Sequence, residues 1–153
     1  MPRNDELRQQ IVAAARGYCG VAYSHQAFSG ARMDCRGLPL RVGRTLNLVN
    51  ANAEFNNYGR QPNPERLRAA LREHLVEIPI AAAQDGDVLL LREHGVARHL
   101  AVRSSMTSGG ESWPTVIHAC NIKGTVVEHR LDERLAGQID SAWSYSDLAP
   151  EGA

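Results

Sequence analysis

The chain has 153 residues, with 17 basic and 17 acidic side chains, six His and three Cys, a length that fits one domain able to hold a core without disulfides or a metal. Zero formal net charge gives no excess of basic groups for non-specific nucleic-acid or anionic-membrane binding. No apolar run approaches the roughly 20 residues of a membrane helix, and the polar opening MPRNDELRQQ holds no apolar signal core.

The first periodic stretch follows Asn4, a good N-cap, and carries Leu7, Ile11, Val12 and Ala15 at helical spacing before Gly17 ends it. A loop is expected from about Tyr18 to Met33. A second helix is expected from Asp34 or Cys35, with Leu38, Val42, Leu46 and Val49 on one stripe. Residues 50–63 are rich in Asn and read as a surface connection. Asn63-Pro64 then pairs an N-cap with proline at the first helical position, and Leu67, Leu71 and Leu75 follow on one face.

After Pro79 the pattern changes to short apolar or β-branched runs, at Val88–Leu91, Leu100–Arg103, Thr115–Cys120 and Thr125–Arg130. Gly109-Gly110 and Asn121–Gly124 read as turns, Leu131–Ala136 as a short helix and Ala142–Tyr145 as a last strand. Helices first and strands afterwards predict an α+β fold with an antiparallel sheet. No repeat or linker divides the chain, so one domain over residues 1–148 is expected, with 149–153 as a loose tail.

The three Cys, at 19, 35 and 120, are odd in number and show no CxxC spacing. That argues against a disulfide framework or a four-thiolate zinc site, and for free thiols in a reducing cytoplasm. Cys35 is the informative one, because it falls at a predicted helix start, in DCRGL. Unpaired backbone N–H groups and the positive end of the helix dipole stabilise a thiolate there. Such a nucleophile needs a base. His99 in RHLAV and His118 in VIHAC lie within strand-like segments and would come within hydrogen-bond reach if those strands pair and face the same side. His25, His74, His94 and His129 are read as ordinary loop, helix or exposed-strand side chains. A zinc site from His99, His118 and Cys120 lacks the paired ligand spacing, and no Gly-x-Ser-x-Gly elbow supports a serine nucleophile. Met33, Trp113 and Trp143 read as packing or rim residues, and Arg92, Arg98 and Arg103 as a solvated strand face by default, with a basic rim for an anionic substrate as the alternative.

In order along the chain, GVAYSHQ at 20–26, DCRGL at 34–38, GDV at 86–88, RHLAV at 98–102 and VIHA at 116–119 resemble the motifs of NlpC/p60-type papain-like cysteine peptidases of bacterial cell walls. The likeness runs from about residue 11 to 145 and implies a papain-like α+β fold with N-terminal helices on an antiparallel sheet. It implies Cys35 as nucleophile, His99 as general base and His118 as the orienting third residue. Tyr23 would flank the thiol and serve substrate binding or the oxyanion, with Gln26 beside it. No metal or other cofactor is implied, and the substrate would be a peptidoglycan stem peptide. HQ at 25–26, the helical insertion near 58–75 and VVEHRLDERLAGQI at 126–139 are similar to peptidases encoded with the tails of phages and gene-transfer agents.

That subgroup implies synthesis in the cytoplasm without a signal peptide, tail hub or baseplate partners, and action in the recipient's periplasm or wall, with no membrane insertion and no nucleic acid bound. Three positions depart from the family pattern. Arg36 replaces a small Ser and puts a long cation by the site, to support the thiolate or contact a substrate carboxylate. Pro39 replaces an apolar residue and is expected to delete a helical hydrogen bond and kink the helix behind Cys35. Ala22 stands where Pro is common. Arg36 and Pro39 keep open a structural tail-tip protein with a weak or inactive peptidase fold, and the same residues would also permit acyl transfer or amidase chemistry.

Overall fold

The structure, a computed structural model, describes residues 2–23, 32–33, 37–49, 63–120 and 124–148. Helix α1 spans Pro2–Arg16, starting before Asn4 because proline fits a first turn whose N–H groups have no helical acceptor. The expected loop after it contains two short strands, β1 (Ala22–Tyr23) and β2 (Arg32–Met33), paired in parallel. Helix α2 covers Gly37–Thr45 and stops short of Leu46 and Val49. It runs unbroken across Pro39, from Gly37 to Thr45. The Pro39 carbonyl accepts from Tyr145 Oη at 2.7 Å. Most of the expected surface connection, residues 50–62, and the tail at 149–153 lie outside the described residues.

Helix α3 (Pro64–His74) begins as expected, with Asn63 Oδ1 accepting from the Arg66 N–H at 3.1 Å. It ends one residue before Leu75, which opens strand β3 (Leu75–Ile78). A 3₁₀ turn at Ile80–Ala82 leads into β4 (Val88–Glu93), β5 (Val96–Ser108), β6 (Glu111–Cys120) and β7 (Thr125–Arg130). A one-turn helix α4 (Glu133–Ala136) and β8 (Ile139–Tyr145) complete the described order.

The strands form one sheet in the order β2-β1-β7-β6-β5-β4-β8-β3. The six longer strands are antiparallel throughout. Alternation along the strands makes two apolar faces. One carries Val88, Leu90, Leu100, Val102, Ile117 and Trp143 against Ile11 and Ala15 of α1, Leu38 and Val42 of α2, and Leu67 and Leu71 of α3. The other carries Leu89, Leu91, Ala101, Val116 and Ala142, covered by Ile78, Ala83, Leu131 and Leu135.

The Gly-Asp pair ahead of β4 ties these layers together. Gly86 has φ +91°, and a Cβ there would meet the α1 backbone at 3.3 Å from Arg8, so glycine allows α1 to come this close. Asp87 is fully buried. It pairs with Arg8 of α1 at 3.0 Å, accepts from Ser144 Oγ of β8 at 2.5 Å, and accepts from the Gln84 N–H at 2.8 Å. A buried carboxylate is tolerated when its charge is paired and its lone pairs are used in this way. The fold is thus α+β, with helices packed on an antiparallel sheet.

Candidate active site

His99 lies on β5 opposite Leu91 of β4, and His118 lies on β6 opposite Val127 of β7. The β5–β6 ladder sets Val102 opposite Ile117. Stepping back along it makes His99 and His118 diagonal partners on the same face, which is the reach long side chains need to touch across strands. They do touch. His99 Nε2 and His118 Nδ1 are 2.6 Å apart, with the ring planes at 89°.

The two rings have different surroundings. His118 is 9% exposed, between the fully buried Ile117 and Ala119. Burial, with a smaller repulsion from His99 and His129, lowers its pKa to about 3. Near neutral pH His118 therefore holds one proton and one lone pair and carries no charge. It can fix the orientation of His99 while itself staying neutral. His99 Nε2 is engaged by His118, and Nδ1 is the other nitrogen of that ring. The Glu93 carboxylate stands 4.0 Å from that atom.

His129, expected to be an ordinary exposed strand residue, belongs to the same cluster. Its Nε2 lies 2.7 Å from His118 Nε2, and its Nδ1 is 3.1 Å from the Arg130 carbonyl oxygen. The signal was in the hairpin arithmetic. Pairing Cys120 with Thr125 brings Val116 opposite His129 and His118 opposite Val127, so both imidazoles share a face.

Of the other sequence-predicted site residues, Tyr23 ends β1 in register with Met33 of β2. Cys35, Gln26 and Arg36 lie outside the described residues. Cys35 stands in the chain two residues after Met33 and two before Gly37, the first described residue of α2. Cys19 is exposed and Cys120 half-buried. Desolvation, reinforced by Glu128, pushes the Cys19 thiol up, away from the thiolate form that a nucleophile requires.

The remaining expectations divide. Trp143 is fully buried and donates from Nε1 to Ser141 Oγ at 2.9 Å. Trp113 is a rim residue with the Arg130 guanidinium 4.7 Å above its ring. Arg103 is not merely solvated, because it binds Asp85 at 2.5 Å. Arg92 reaches Asp140 at 3.4 Å.

No sequence-family model matches the chain, and no curated protein sequence matches it. Solved structures do. The NlpC/p60 domain of the peptidoglycan hydrolase SagA is 23% identical with a TM-score of 0.57, over 90% of this chain and 97% of that one. The peptidoglycan hydrolase RipB from Mycobacterium tuberculosis is 16% identical at 0.59, over 95% of this chain and 67% of that one. An NlpC/p60 family protein from Bacillus cereus is 15% identical at 0.60, over 90% of this chain but only 40% of that one. In the last case the chain spans well under half of the protein it matches. Helices on an antiparallel sheet, with an imidazole pair on its central strands, give this chain the papain-like α+β fold of NlpC/p60 domains.

Proposed function

We propose that the protein is a cysteine peptidase that hydrolyses peptidoglycan stem peptides, with Cys35 as nucleophile, His99 as general base and acid, and His118 as the orienting residue. The observation that carries this reading is the 2.6 Å contact between His99 and His118 on adjacent strands, in a fold shared with peptidoglycan hydrolase domains. Elements β2 and α2 bracket the chain position of Cys35, and a thiol at a helix start beside an imidazole is the combination that favours the thiolate.

In this mechanism the Cys35 thiolate attacks the amide carbonyl carbon, and the oxygen takes the negative charge against backbone N–H groups, with Tyr23 and Gln26 on the substrate side. As the tetrahedral intermediate collapses, His99 gives its proton to the departing amine and the C–N bond breaks, leaving a thioester. His99 then takes a proton from water, hydroxide adds to the thioester carbonyl, and the C–S bond breaks to release the acid and the thiolate. Arg36 meets a carboxylate of the stem peptide. The residues at 126–139 that resemble tail-encoded peptidases fold as most of β7, then α4 and the first residue of β8. With the 25–26 and 58–75 segments, they support a place for the protein in a phage or gene-transfer-agent tail, bound to hub or baseplate proteins and carried to the recipient's wall.

Mass spectrometry of muropeptides incubated with wild type and with Cys35→Ala tests the proposal. Stem-peptide cleavage by wild type alone is the expected result. Cleavage that survives Cys35→Ala would overturn the nucleophile assignment. An inert wild type, free and in the assembled particle, would overturn the peptidase reading in favour of the structural tail-tip role.

A further inference from the structure

The three imidazoles form a line from strand β5 to the exposed end of β7, joined edge to edge at 2.6 and 2.7 Å. The line ends on a backbone carbonyl, that of Arg130, 3.1 Å from His129 Nδ1. Five of the six ring nitrogens take part in it, and this restricts where the protons can be.

We propose that His129, held by the Arg130 carbonyl, is a positioning residue that fixes the tautomers of all three rings and so keeps the basic lone pair of His99 on Nδ1. The proposal rests on the reading of His99 as general base. A carbonyl oxygen can only accept, so His129 Nδ1 carries a proton and donates it. In a neutral ring, His129 Nε2 is then a lone pair, and the facing His118 Nε2 must be the N–H that donates to it. Buried His118 is neutral, so with its proton on Nε2 its Nδ1 is an acceptor. The partner of that acceptor, His99 Nε2, must therefore be N–H. Neutral His99 is left with its lone pair on Nδ1, the nitrogen turned away from His118.

The opposite polarity fails at both ends. It would set a lone pair of His129 against the Arg130 carbonyl. It would also put the proton of neutral His99 on Nδ1, where it could not accept the thiol proton. Which nitrogen of a histidine is protonated is decided by the bond the other makes, and here that decision is passed along three rings from a fixed backbone atom. His129 is exposed, so the anchor can be altered without opening the core. The rings join in series, and among the described residues no three His, Cys, Asp or Glu side chains are grouped so as to hold a metal ion.

Nitrogen-15 NMR of Cys35→Ala, in which no thiol proton is held on His99, reads the tautomers directly, and stem-peptide kinetics of the Cys35 enzyme read their consequence. In Cys35→Ala we expect His99 and His118 both as the Nε2–H tautomer and His129 as Nδ1–H. His129→Phe keeps the ring volume and removes the acceptor. It should mix the His118 and His99 tautomers and lower kcat about tenfold with KM little changed, the effect of one lost hydrogen bond. His129→Gln, whose amide oxygen can accept from His118, should restore both. In Cys35→Ala, a neutral His99 protonated on Nδ1 would overturn the proposal, and so would tautomers and kcat unmoved by His129→Phe. Failure of the Gln variant to restore them would assign the effect to ring packing and also overturn it. The two readings fail separately. An inactive wild type whose Cys35→Ala form shows the stated tautomers would end the peptidase assignment and leave the anchor standing, whereas an active wild type whose Cys35→Ala form shows reversed tautomers would end the anchor alone.

Discussion

His118 makes the fold sensitive to mild acid in a way that can be isolated. Its pKa falls from an ordinary 6.5 to about 3 on folding, chiefly because the ring loses its water. A histidine lowered in the folded state is protonated first in the unfolded chain, so stability from this group is complete above its unfolded value and is lost as pH falls below it. Each unit costs about 1.4 kcal/mol once the unfolded ring is fully charged. Between about pH 6.5 and pH 4.5 the loss comes to roughly 2 kcal/mol, a large part of the 5–15 kcal/mol typical of whole domains.

Two carboxylates also sit low. Asp140 is lowered by its hydrogen bond from Arg68. Burial pushes Glu128 up, but hydrogen bonds from Arg16 and Thr115 outweigh this and leave it below its usual range. Their contributions are lost only as pH falls through the carboxylate range and below, so the window above about pH 4.5 belongs mainly to the imidazole. Urea unfolding of wild type and His118→Gln across this window is the assay. The wild-type curve should fall about 2 kcal/mol further than that of the variant, whatever their offset at neutral pH. Parallel curves would show that His118 is charged in the folded protein and would refute the neutral-orienter argument.

Asp87→Ala should cost about 3–5 kcal/mol in urea unfolding, because it strips Arg8, Ser144 and the Gln84 N–H of their shared buried acceptor. A loss under about 1 kcal/mol, the worth of an exposed ion pair, would contradict that role. Asn63→Ala removes the cap bond to the Arg66 N–H and should cost about 1 kcal/mol, with Asn63→Ser nearly neutral. Equal losses in the two variants would show that the cap does not stabilise α3.

Legibility followed the physics of each segment. Strands β4 to β8 were readable because β-branched and apolar runs end at turn residues, and β7 matched from Thr125 to Arg130. Asn63-Pro64 marked the start of α3 because capping is local. Its end was hidden, since Leu75 continues the spacing of Leu67 and Leu71 while its backbone has already entered β3. Strands β1 and β2 have two residues each, too few for any alternation to register. His99 and His118 were found because each interrupts an apolar strand. His129 was missed because Glu128-His129-Arg130 reads as a solvated strand end, and only the register with β6 brings it onto the ring of His118. Pro39 looked like a helix breaker, yet the described helix runs through it from Gly37 to Thr45.

The most direct measurement is the alkylation rate of the three thiols in the folded protein, followed by iodoacetamide labelling and peptide mass spectrometry at about pH 6, where an ordinary thiol near 8.5 is almost wholly protonated. Cys35 should react at least about tenfold faster than Cys19 and Cys120, and His99→Ala should remove the difference. Labelling of Cys35 no faster than the other two would contradict a thiolate held by the His99–His118 pair.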